Sequence, residues 1–173
     1  MIKIENTEVF GWEAAIRGMR NPMNSWKMSD SYWGLLEDES PINPSDEPFF
    51  FVGEKDLDLM KRLRNAGTDH RKFMRMITVY FDLQAPLYFL KEWDTYKIAT
   101  VSNSCSTMHK IQDKEFTMED FSHEHLAKFE RGVLQYLIDA LNWARDKFLD
   151  TKDKNFWWQL IQLLPDTYIQ TRG

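Results

Sequence analysis

Between Lys91 and Lys110 the chain gathers hydroxyls, an amide, a thiol and several cations. They are Lys91, Thr95, Tyr96, Lys97, Ser102, Asn103, Ser104, Cys105, Ser106, Thr107, His109 and Lys110. Hydroxyls, backbone N–H groups and an ammonium together can hold a phosphate or a nucleotide, because each donates a hydrogen bond to an anion. The same residues also read as an ordinary Ser- and Asn-rich turn, although site residues concentrate on loops held by a rigid scaffold. Cys105 with His109 invites a nucleophile reading, since an adjacent base activates a thiol. Nothing in the spacing brings the two together or adds a third group, so a plain cysteine is the favoured reading. His123-Glu124-His125 makes a poor metal clip, because helical residues two apart point in different directions. Seven scattered glycines form no phosphate-binding loop of either standard type.

The elements that must position this segment follow from periodicity. Ile2 and Ile4 alternate with polar residues and predict a short strand or two ending near Gly11. Trp12 to Met19 predicts a helix stopped by Asn21-Pro22. Residues from about Asn24 to Pro48 read as a long loop, marked by Pro41, Pro44 and Pro48 with Ser40, Asn43, Ser45 and Asp46. Trp26, Tyr32 and Trp33 would pin it to a surface. A second helix opens at Gly53, with an inner stripe of Leu57, Met60, Leu63 and Ala66 and Gly67 as its cap. Phe73 to Phe81 alternates with apolar residues on both faces and predicts a central strand. Pro86 starts a short helix carrying Leu87, Leu90 and Trp93, and Lys97 to Ser102 could be extended.

Ser122 is the expected N-cap of the longest helix, about His123 to Leu149. Its predicted stripe is Leu126, Phe129, Val133, Leu137, Leu141, Ala144 and Phe148. A last helix, about Asn155 to Leu164, is almost apolar all round and is expected to be buried, within the domain or between subunits. Pro165 ends it, and Thr167-Tyr168-Ile169 reads as a strand.

The bulk properties bound the function. A chain of 173 residues with 43% hydrophobic and 14% aromatic content can build a sizeable core. The expectation is one domain over residues 1–173. The net charge of -5 argues against nucleic acid, whose binding is driven by cations that release counterions. A single cysteine excludes an internal disulfide framework and fits a reducing compartment. No signal peptide and no apolar run long enough to span a bilayer are visible. The expectation is a cytoplasmic protein with no membrane partner.

The stretch Ala66 to His109 resembles the central region of the flavin-dependent thymidylate synthases. Asp69-His70 precedes Phe73 as that family's Glu-His pair precedes its strand Phe. Counting onward, Thr95-Tyr96-Lys97 falls on the family's Arg-His-Arg, Thr100 on its first Ser, Ser102-Asn103 on Asn-Glu, Cys105 on the second Ser and Thr107-Met108 on Arg-Tyr. Leu164-Pro165 followed by Thr167 is similar to a later Leu-Pro and Thr. The pattern Asp-Thr-Tyr-Lys…Asn-Ser-x-Ser-Thr-Met-His looks closest to a divergent, phage-associated branch.

The resemblance implies an α+β fold, an antiparallel sheet flanked by helices, and a homotetramer with FAD between subunits. It implies methylene transfer from methylenetetrahydrofolate to dUMP, with NADPH as reductant. His70, Thr95, Tyr96, Lys97 and Ile98 would then contact flavin, and Asn103, Cys105 and Thr107 the pyrimidine nucleotide. There are departures. Thr95 and Thr107 replace signature arginines and cannot offer a bidentate cationic fork. Ile161 stands where an arginine is expected. The family continues beyond the position of Gly173, so a C-terminally truncated domain is expected. These departures leave two rival readings open: a nucleotide-binding relative with altered chemistry, and a structural homo-oligomer that keeps only the scaffold.

Overall fold

A computed structural model describes residues 2–35 and 48–173. The loop residues Ser40, Pro41, Asn43, Pro44, Ser45 and Asp46 lie outside the described residues. Two compact units divide the chain, one of residues 8–80 and one of residues 1–7 with 81–173. The fold is α+β: strands β1 (Lys3–Phe10), β4 (Thr78–Pro86) and β5 (Ile169–Arg172) form a sheet in the order β1-β4-β5. Strands β2 (Tyr32–Gly34) and β3 (Phe49–Phe51) pair antiparallel in a ribbon of their own. β4 and β5 run antiparallel, with Leu83 opposite Arg172 and Pro86 opposite Ile169.

In residues 8–80, helix α1 (Trp12–Arg20) follows Gly11, whose φ of 92° needs glycine. A Cβ there would collide with the Met76 carbonyl oxygen, so the close approach also requires it. α1 buries Ala15, Ile16 and Met19 against Met60 and Phe73. As expected, Asn21-Pro22 closes α1, and the chain continues as one 3-10 turn, Asn21–Met23. Helix α2 (Glu54–Asn65) ends before Gly67, which sits at φ 113° just past its end.

The inner stripe of α2 differs from the expectation. Asp56 and Met60 are buried with Leu59 and Leu63 beside them, while Leu57 and Ala66 are exposed. The helix is turned by about one residue because its deepest contact is an ion pair. Arg20, 4% exposed, meets the fully buried Asp56 at 2.6 Å. Asp56 also accepts hydrogen bonds from the Ser29 and Ser31 hydroxyls at 2.6 and 2.7 Å. Asp30 accepts from the free N–H groups of Lys55 and Asp56, which completes the helix N-terminus.

The strand predicted over Phe73–Phe81 begins later. Arg71–Met76 is a 3-10 turn, and the strand runs from Thr78 to Pro86. Its apolar alternation up to Ile77 is instead used to bury Phe73 against α1. The strand is central in its sheet, as expected. Pro86 closes it and is the N-cap of helix α3 (Leu87–Trp93) rather than its first residue.

In the unit of residues 1–7 and 81–173, helices α4 (Lys128–Thr151) and α5 (Lys154–Leu163) hold the main core. α4 starts five residues later than predicted, and Ser122 is not its cap. The Ser122 N–H bonds the Thr167 carbonyl at 2.8 Å, and Phe121 pairs with Tyr168, so this stretch is held extended. The buried stripe of α4 is Leu134, Ile138, Leu141 and Ala144. Phe129 and Val133, predicted inward, are 78% and 56% exposed, and Tyr136 and Trp143 continue that outer face. α5 is not buried within the single chain: Leu160 is fully buried, whereas Trp158 and Leu163 are exposed. The last strand starts at Ile169, two residues later than read. Among the described residues, no helix is long and apolar enough to cross a membrane.

Candidate functional site

The polar segment after α3 is not the extended strand suggested for Lys97–Ser102. It runs as successive turns, with Ala99 at φ 57°. The Thr95 N–H and hydroxyl both bond the Glu92 carbonyl, at 3.0 and 2.8 Å, so that hydroxyl is committed to ending α3. Tyr96 is 65% exposed, Ile98 96% and Val101 88%. Among the described residues, the Lys97 ammonium has no ion-pair partner. An exposed cation beside exposed apolar groups offers a phosphate contact and a ring contact on one short turn.

From Asn103 the segment joins the sheet edge. The Asn103 N–H bonds the Gly173 carbonyl at 2.8 Å, and the Gly173 N–H returns the bond at 2.9 Å. The Cys105 N–H bonds the Thr171 carbonyl at 2.9 Å, and Gln170 Nε2 donates to the Cys105 carbonyl at 2.6 Å. Between them, Ser104 pairs with Arg172. Ser106 Oγ accepts from the backbone of Met108 and His109 at 3.1 and 2.9 Å, which folds the following turn. Thr107 is half-buried in that turn. No Cys105–His109 hydrogen bond forms among the described residues. His70 lies in the other unit, exposed at the start of the Arg71–Met76 turn.

Cys105 and Ser106 line a cavity of about 350 Å³ with Lys110, Lys114, Phe116 and Tyr168. Phe116 and Tyr168 give it an aromatic wall, and Phe121 packs against both, with ring centroids 5.7 to 6.1 Å apart across the three. Asn142 on α4 fixes that wall by bonding both the N–H and the carbonyl of Phe116, at 2.8 and 2.9 Å. Burial, followed by the charge of Asp120, pushes the Tyr168 phenol above its ordinary pKa, so it stays protonated and able to donate. The lysines at this cavity already have partners. Lys110 meets Asp113 at 3.2 Å and Lys114 meets Asp120 at 2.6 Å. A ligand anion would compete with these carboxylates.

Sequence reasoning missed Arg172. Its guanidinium bonds Asp94 and, at 3.0 Å, Gln170 Oε1, with 15% of the side chain exposed. Its only signal in the sequence is its position at the end of the last strand. The Thr167 hydroxyl is out of solvent with no hydrogen-bond partner among the described residues. No three His, Cys, Asp or Glu side chains gather as a metal site among the described residues.

No family profile matches the sequence, and no curated protein matches it. Solved structures do. A Helicobacter pylori flavin-dependent thymidylate synthase, ThyX, complexed with FAD and dUMP is 16% identical. The likeness covers 98% of this chain and 76% of that chain, with a TM-score of 0.59. A second structure of Helicobacter pylori ThyX with FAD and dUMP is also 16% identical, over 99% of this chain and 76% of that chain, at a TM-score of 0.56. The fold is that of the flavin-dependent thymidylate synthases.

A thymidylate synthase fold of this type raises the question of whether the residues suit FAD. The Thr95–Ile98 turn supplies one unpaired ammonium and an exposed apolar surface, which suits a phosphorylated compound with a ring system. It supplies no second cation, and the Thr95 hydroxyl is already used. The turn fits the group through Lys97 alone on the charged side.

Proposed function

We propose that this chain binds FAD and a pyrimidine nucleotide and acts as a flavin-dependent thymidylate synthase-like protein. In this reading a methylene group passes from methylenetetrahydrofolate to dUMP and NADPH supplies the reducing equivalents. The observation that carries the reading is the placement of the signature segment. It is pinned to β5, with Cys105 opening on a cavity of about 350 Å³, in a fold shared with ThyX. Lys97 would hold a flavin phosphate, with His70, Thr95, Tyr96 and the Ile98 backbone around the cofactor. Asn103, Cys105 and Thr107 would face the nucleotide. The flavin, when bound, supplies the electron-transfer chemistry. The protein's share is to orient the rings, and the protonated Tyr168 phenol can donate a hydrogen bond at the cavity.

The reading extends to a single cytoplasmic domain of the divergent, phage-associated type, working as a homotetramer. The outer face of α4 supports association, because Phe129, Val133, Tyr136 and Trp143 are more than half exposed, and exposed apolar patches mark interaction sites. A second reading, nucleotide binding without turnover, is favoured by the threonines at two arginine positions and by the paired lysines at the cavity.

Lys97→Ala should weaken FAD uptake by roughly 10-fold or more, the loss of one charge-assisted contact, while His109→Ala should change it little. Flavin fluorescence titration measures both. A protein that stays colourless with excess FAD, or a Lys97 variant with unchanged affinity, removes the flavin reading. Thermal stabilisation by dUMP without FAD would select the second reading.

A further inference from the structure

Residues 8–80 hold another cavity, of about 310 Å³, that the reading above does not use. Helix α1 contributes Glu13 and Arg17 to it, one turn apart, and Trp26, Tyr32, Trp33 and Phe50 contribute rings. Trp26, Tyr32 and Trp33 are 48%, 60% and 57% exposed. Leaving so much ring surface in water is unfavourable, and a contiguous exposed apolar surface marks a binding site. The indole N–H groups are already satisfied: Trp26 donates to Asn21 Oδ1 at 2.8 Å and Trp33 to Glu13 Oε2 at 3.1 Å. What remains for a ligand is the ring surfaces.

The walls are held in advance. Ser29 and Ser31 line the cavity, and their hydroxyls are fixed by the fully buried Asp56, itself paired with Arg20. A prearranged site loses little ordering entropy on binding. Glu13 and Arg17 are 3.8 Å apart and both well exposed. That separation exceeds a hydrogen bond, so both keep capacity for a ligand. The carboxylate can accept and the guanidinium can donate.

A carboxylate beside a guanidinium at an aromatic-lined cavity complements a flat ring whose edge carries an N–H next to a carbonyl. We propose that this cavity binds a planar heteroaromatic ring with a neutral lactam edge. The ring stacks on the indoles of Trp26 and Trp33, its N–H donates to Glu13, and its carbonyl accepts from Arg17. Stacking on aromatic side chains is tolerant of ring type, so the two charged groups set the selectivity. An aromatic anion would meet Glu13 and an aromatic cation would meet Arg17, each with an opposing charge. The cavity belongs wholly to residues 8–80, so its ligand does not depend on the Lys97 turn.

The test follows the indole N–H signals of the full-length, 15N-labelled protein, with Trp26→Phe and Trp33→Phe assigning the two resonances. The probes are 2-pyridone, N-methyl-2-pyridone and benzoate. 2-Pyridone should shift both signals saturably, with a Kd of about 1 mM, in line with the binding of so small a molecule. N-Methyl-2-pyridone, which lacks the N–H, and benzoate should bind at least roughly 5-fold more weakly. Glu13→Ala and Arg17→Ala should each weaken 2-pyridone by a similar factor with an unchanged melting temperature. Absence of saturable shifts at the two indoles, equal binding of all three probes, or variants that bind as well as the parent would overturn the proposal.

Discussion

Asp56→Ala should destabilise the protein by about 3–5 kcal/mol, the usual cost of stripping one partner from a buried ion pair. The cost comes from what is left behind. Arg20 would keep its charge at 4% exposure without the carboxylate 2.6 Å away. Its remaining acceptors would be the carbonyls of Ser25 and Met28, both at 3.3 Å. The Ser29 and Ser31 hydroxyls and two backbone N–H groups would lose their acceptor as well. A change of that size should lower the melting temperature of residues 8–80 by roughly 12 °C or more. Calorimetry would show it, and an unchanged transition would mean that the pair is not formed in solution.

The same carboxylate sets a pH dependence. Burial raises its pKa, but hydrogen bonds from Ser29, Ser31 and Arg20 and the charge of Arg20 outweigh that. The net result is a folded-state value below the ordinary 3.8. A group with a depressed pKa stabilises above its unfolded value and loses that contribution as the pH falls through the folded one. The parent should therefore lose stability on acidification below about pH 4. An Asp56→Asn variant, weaker at neutral pH, should show a shallower loss in that window.

Leu160→Ala should cost about 2–5 kcal/mol, the transfer and cavity terms of a fully buried leucine. Leu160 is 0% exposed at the centre of the cluster that includes Ile111, Phe116 and Phe121. Ile111 and Phe116 also line the cavity that opens at Cys105, so one cluster contains both Leu160 and part of the cavity wall. Urea unfolding should show a lower midpoint at unchanged slope. Trp158→Ala, on the same helix but 49% exposed, should shift the midpoint far less. Equal effects at the two positions would contradict the packing of α5 described above.

The long elements were legible because their apolar spacing is dense: α1, α4 and α5 lie close to where periodicity puts them. Stripes were harder to read than spans. α2 turned because its best-buried side chain is an aspartate, and a hydrophobicity pattern gives no credit to a carboxylate matched by a distant arginine. α4 turned because Phe129 and Val133 are apolar yet exposed. Apolar character marks what may be buried, not what one chain alone can bury. The strand after Phe73 was misplaced because a 3-10 turn can bury an alternating residue as a strand does. The Lys91–Lys110 segment stands out by composition, but its attachment to β5 leaves no local signal, since Asn103 and Gly173 are 70 positions apart. The role of Arg172 is hidden for the same reason: Asp94 is distant from it in sequence.

The rung that Asn103, Ser104 and Cys105 add beside β5 has a geometric consequence. Side chains alternate along an extended ribbon. Asn103 and Cys105 therefore project from one face, about 7 Å apart, while Ser104 projects from the other. The backbone bonds to Thr171 and Gly173 hold that interval. A compound touching both side chains would meet them at that fixed interval.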